Sequence, residues 1–106
     1  MHLELDDLPN RPVLDATGAV VGDVTKPLVD TETWLVDTLR VRVRRDAAGE
    51  LELPWSFLNR PTIDIPTGLI HAAGDAIILR VSLGELRDAP PLRAVETQHQ
   101  AVAAAH

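Results

Sequence analysis

The clearest signal along the chain is a period of two. Leu39, Val41 and Val43 alternate with Arg40, Arg42 and Arg44, the mark of a strand with one dry and one wet face. The spacing predicts a long strand over residues 34–44. Ahead of it, Val13-Leu14-Asp15 runs into Ala16-Thr17-Gly18-Ala19, and Val20, Val21, Val24, Leu28 and Val29 form a returning strand. A glycine after a polar residue supplies the positive φ that a tight hairpin turn needs. Gly22, inside the returning strand, predicts a bulge or sharp bend. Pro27 lacks a ladder donor and belongs on an edge or a bulge. Asp30-Thr31-Glu32-Thr33 is a second turn, Asp46-Ala47-Ala48-Gly49-Glu50 reads as a third, and Leu51 to Trp55 as the next strand of a meander.

Beyond Ser56 the pattern breaks up at Pro61, Pro66 and Gly68. Short apolar pieces at residues 62–65 and 69–72 predict a small hairpin around Pro66-Thr67-Gly68. Gly74-Asp75 turns the chain into a β-branched strand over residues 76–81. Ser82-Leu83-Gly84-Glu85 has capping-box spacing and predicts one helical turn. Pro90-Pro91 ends the compact part, which defines a domain at 1–89 and a tail at 90–106. In the tail Leu92, Val95, His99 and Val102 recur near the helical period among alanines. They predict a short helix that either frays or packs on its own domain or on a second subunit, because isolated helices of this length are marginal in water.

Composition changes the picture little. The 106 residues are 45% hydrophobic and 25% charged, ordinary for one globular domain. The absence of cysteine removes disulfides, thiolate metal sites and thiol catalysis together. Charge is more informative. The net charge of −6 falls entirely within residues 1–37, and the rest of the chain balances. Such a surface repels phosphate backbones at long range, so nucleic acid is not the expected partner. No apolar run approaches the ~20 residues of a membrane-spanning helix, and the acidic start is no secretory leader, so a cytoplasmic protein without membrane insertion is expected.

Candidate chemistry is sparse. A nucleophile set would have to combine Ser56 or Ser82 with His71 and Asp64 or Asp75, and neither serine lies in G-x-S-x-G. The histidines His2, His71, His99 and His106 are widely spread, and the glycines form no phosphate-binding fingerprint. No catalytic residue, cofactor or metal is therefore assigned. The row Arg40, Arg42, Arg44 and Arg45 can dock an acidic partner or phosphates, an acidic protein surface before nucleic acid, or simply pair with Glu50 and Glu52 across the expected hairpin. Trp55 and Phe57 are expected to fill the core. Trp34, just after a polar turn, is a candidate contact residue.

Arg11-Pro12-Val13-Leu14-Asp15, Gly18, Val21-Gly22-Asp23-Val24 and Leu28-Val29-Asp30, with the later Leu53-Pro54-Trp55-Ser56, resemble the PRC-barrel family. This is the fold of the cytoplasmic domain of the photosynthetic reaction centre's H subunit. The resemblance covers roughly residues 8–58 and 76–82, with Asn10 where relatives often carry glycine. It implies an all-β fold, a small, mainly antiparallel, partly open barrel, to which the tail adds a short C-terminal helix. Asp15, Gly18, Gly22 and Asp30 match the family's turn and bend positions, so they are expected to determine the fold. The resemblance also implies a non-catalytic interaction or scaffolding role. Sheet edges and a helical tail that need cover point to a homodimer, with Trp34, Arg40, Arg42, Arg44, Leu92, Val95 and Val102 as contact residues. The alternatives are a ribosome-associated RNA-processing adaptor, although such factors carry a second barrel domain ahead of this one, and an accessory subunit of a membrane or photosynthetic complex.

Overall fold

The computed structural model describes residues 5–88 and the backbone of Ala94–Val95. The elements in chain order are β1 (Pro12–Leu14), β2 (Val20–Asp30), β3 (Leu35–Val43), α1 (Arg45–Glu50), β4 (Thr62–Pro66), β5 (Ile70–Ala73), β6 (Ile77–Leu79), α2 (Leu83–Asp88) and β7 (Ala94–Val95). The strands form one mixed sheet in the order β5-β6-β1-β2-β3-β4-β7. All neighbours are antiparallel except β1 and β6. The protein is mostly β, as the alternation predicts.

Alternation along β3 holds: Leu39, Val41 and Val43 are buried, while Arg42 and Arg44 are exposed. Opposite them Ile63 and Ile65 of β4, and Val21 and Val24 of β2, complete the dry face. Leu83 and Leu86 of α2 and Ala47 and Ala48 of α1 cover it.

Turn chemistry is as the sequence indicates. Gly18 sits at φ +93 and donates its N–H to the Asp15 carbonyl. Asn10 takes φ 71, a left-handed conformation that asparagine tolerates better than most residues. Asp30 Oδ1 accepts from the Glu32 N–H at 2.8 Å, and its carbonyl accepts from the Trp34 N–H. Gly22 serves close approach: a Cβ there would stand 2.0 Å from the Arg42 carbonyl oxygen on β3. The register between β1 and β2 shifts next to it, where Val13 faces Gly22 and Leu14 faces Val20. Pro27 lies between two irregularities of the β2–β3 ladder. There β2 has run past β1, and its other edge has no strand partner among the described residues.

Three expectations need correction. Residues 45–50 form α1 instead of a hairpin turn, and Leu51 to Trp55 is not a strand. Ala47 and Ala48 are good helix formers that become buried, Asp46 favours the positive N-terminal end, and Glu52 at φ 58 turns the chain away. The hairpin expected at Pro66-Thr67-Gly68 is a 3-10 turn, Thr67–Leu69, between strands that do not pair. Since β4 and β5 stand far apart in the strand order yet are joined by only three residues, the sheet must roll. Pro66 and Ile70 can be no more than about 14 Å apart. The roll is not closed into a barrel, because its edge strands β5 and β7 share no ladder among the described residues. Thirdly, Ala94–Val95, placed within the expected helix, pairs as β7 with Thr62 and Ile63. Leu92, His99 and Val102 lie outside the described residues, as do His2 and His106.

Candidate functional site

Alternation puts Arg40, Arg42 and Arg44 on the outer face of β3, but their partners differ from those expected. With no hairpin at 46–50, Glu50 and Glu52 do not stand across from them. Arg40 donates from Nε to Asp64 Oδ1 at 2.9 Å and from Nη2 to Asp64 Oδ2 at 3.2 Å, directly across the β3–β4 ladder. This fork against a carboxylate raises the Arg40 pKa above its ordinary value. Arg44 makes the same fork to Asp23 on β2, at 3.3 and 3.1 Å, and its pKa is raised for the same reason. Arg42 lies between them in sequence and forms no ion pair with the described residues.

At the Arg44 end of β3, where α1 begins, a cleft of about 340 Å³ opens on the surface. Arg42, Arg44, Arg45 and Arg60 line it around Trp55, with Asp23 and Asp46 as the acids. The guanidinium carbons of Arg45 and Arg60 stand 5.3 and 5.9 Å from the centroid of the Trp55 ring, within cation–π range. Trp55 is half-buried against the core instead of plugging it, and its shielded Nε1–H has no acceptor among the described residues. Phe57, expected inside, is 78% exposed.

The opposite end of β3 carries the hairpin tip. Trp34 has φ 61 and is 75% exposed; Leu35 and Val29 beside it are exposed too. Trp34 and the arginine cleft are therefore at opposite ends of a nine-residue strand, roughly 30 Å apart along it.

A third feature is structural. Asp15 is buried, and its Oδ1 accepts hydrogen bonds from the Thr17 N–H, the Thr17 hydroxyl and the Ala19 N–H, while Oδ2 accepts from the Leu83 N–H. Burial pushes its pKa up, but these donors outweigh it and hold the carboxyl below its ordinary range. A groove of about 610 Å³ runs beside it, between the Thr17–Val20 turn, α1 and the start of α2.

Of the residues weighed for nucleophilic chemistry, Ser56 Oγ accepts from the Asn59 N–H and Ser82 Oγ accepts from the Glu85 N–H. Asp64 holds Arg40, Asp75 faces Arg11 at 3.6 Å, and His71 is exposed on β5. No hydrogen bond joins any two of them. Among the described residues no three His, Asp or Glu side chains group to hold a metal, and no helix is long and apolar enough to cross a membrane.

Sequence pattern singles out Trp34 and the arginine row but misses Arg60 and assigns Trp55 to the core. Arg60 reaches the site only because the irregular segment 51–61 folds back over the end of β3, and no periodicity marks such a segment. Neither the protein-family models nor the curated proteins compared with the chain match it.

Proposed function

We propose that the chain is a non-catalytic, cytoplasmic interaction module of PRC-barrel type that associates with a second copy of itself. The observation that carries this reading is Trp34. A bulky residue in the left-handed region costs of order 1 kcal/mol or more, and such outliers cluster where a contact requires them. Here the backbone spends that strain on presenting an indole to solvent beside Leu35 and Val29, the kind of aromatic anchor that dominates interface energy. The same hairpin carries Asp30, Glu32 and Asp37, while the outer face of β3 presents Arg42, which forms no ion pair with the described residues, next to Arg40, held by Asp64. A two-fold pair of chains lets the acidic, aromatic tip of each meet the basic strand face of the other, so one contact is made twice. The rolled sheet, the close approach at Gly22 and the carboxylate-closed turns at Asp15 and Asp30 support the barrel-type reading.

Asparagine accepts the left-handed conformation, so Trp34→Asn separates folding from association. Sedimentation at high micromolar concentration is expected to show a dimer for the native chain and a monomer for the variant. In dilute solution the variant is expected to be as stable as the native chain or more stable, by up to about 1 kcal/mol. A monomeric native chain, or a variant that still dimerises, overturns the reading.

A further inference from the structure

We propose that the cleft around Trp55 binds the phosphoryl group of a small anion, inorganic phosphate or a low-molecular-weight phosphomonoester. This rests on the cleft and not on the self-association, although Arg42 and Arg44 border both, so it is tested on the monomer.

Electrostatics come first. Arg44 is neutralised by Asp23, which leaves Arg42, Arg45 and Arg60 facing the cleft with Asp46 as the remaining acid. Three guanidinium groups against one carboxylate leave an excess of two positive charges. A phosphoryl group carries about −1.5 to −2 at neutral pH, so it matches this excess; a single carboxylate does not. Like charges gathered in one cleft repel each other, and an anion seated between them removes the repulsion.

Geometry supports the same ligand. Arg45 and Arg60 both stand within cation–π range of Trp55, which gathers two guanidinium groups at one side of the cleft, and a guanidinium can donate in a bidentate fork to the oxygens of an anion. The Trp55 Nε1–H is shielded and has no acceptor among the described residues, so its resonance reports on changes around the ring. A tetrahedral oxyanion has enough acceptor sites for several guanidinium groups at once.

Size and net charge select against larger partners. At about 340 Å³ the cleft falls at the small end of ligand pockets, which run from about 300 to 1,000 Å³. The chain's charge of −6 opposes the long-range capture of a polyanion such as nucleic acid, whereas a small dianion is held by short-range contacts that the distant acids hardly affect.

Trp34→Asn leaves Trp55 as the sole indole, and the monomer it is expected to give separates this test from the preceding one. In that background, ¹H–¹⁵N spectra would follow the Trp55 Nε1–H while inorganic phosphate is added at constant ionic strength with sodium chloride. The indole signal is expected to move saturably. Arg45→Ala with Arg60→Ala, both exposed side chains, is expected to weaken binding about tenfold or more. Arg42→Gln on the strand face is a second variant with a smaller loss. Glycerol phosphate forms the other arm: equal affinity identifies the free ion as ligand, and tighter binding identifies an ester, either outcome supporting phosphoryl recognition. A shift reproduced by chloride alone, acetate binding as tightly as phosphate, or undiminished binding by the double variant overturns the proposal.

Discussion

Asp15 is the one buried charged side chain among the described residues, and four donors make it stable as a carboxylate. Its folded pKa lies below the ordinary value of 3.8. The stability it contributes is therefore fully present above that value and is lost as pH falls through the lower, folded pKa. Asp15→Asn is expected to cost about 1.5–3 kcal/mol at neutral pH in denaturant unfolding, the range for a hydrogen bond to a charged group. The gap between native chain and variant should narrow as pH drops below the ordinary carboxylate range; a gap independent of pH there would contradict the assignment. The role of Asp15 in its own turn was legible, since an acid two residues before a Thr-Gly pair is a turn signal. Its grip on Leu83 was not, because no local pattern links residues 68 positions apart.

At the scale of elements, alternation succeeded where one face of a strand is dry and failed where the chain is short and irregular. Of the strands from Pro12 to Val43, β3 was readable because its apolar residues recur with period two from Leu39 onward, and β1 and β2 because glycine, asparagine and aspartate punctuate them. Residues 45–50 misled because Asp46 and Gly49 are turn residues by type, while two buried alanines decide the outcome by packing. The capping box that opens α2 was readable and is formed: Ser82 Oγ accepts from the Glu85 N–H at 3.1 Å, and Glu85 Oε1 accepts from the Ser82 N–H at 3.0 Å. Ser82→Ala is expected to cost about 1 kcal/mol, measured as a lower denaturant midpoint with an unchanged slope. A loss below a few tenths would show that packing of Leu83 and Leu86 alone holds the helix.

For the whole molecule, what remained hidden in the sequence was how the sheet rolls and what the roll brings together. Arg60 meets Trp55, and β4 approaches β5, through irregular segments that carry no periodic signal. The parallel ladder between β1 and β6 has a further consequence, in time instead of space. The hairpin of β2 and β3 joins strands four residues apart in the chain, whereas Val13 must wait for Ile77, Arg11 for the Gly74 carbonyl, and Asp15 for Leu83. Distant pairings carry a larger loop-closure cost and so form late. In pulse-labelled exchange the amides of the β2–β3 ladder are expected to become protected before that of Leu83; simultaneous protection would exclude this order. During synthesis the outer flank of β1 must stay open until Ile77–Leu79 have emerged, so the nascent chain exposes a bare strand that its finished form conceals.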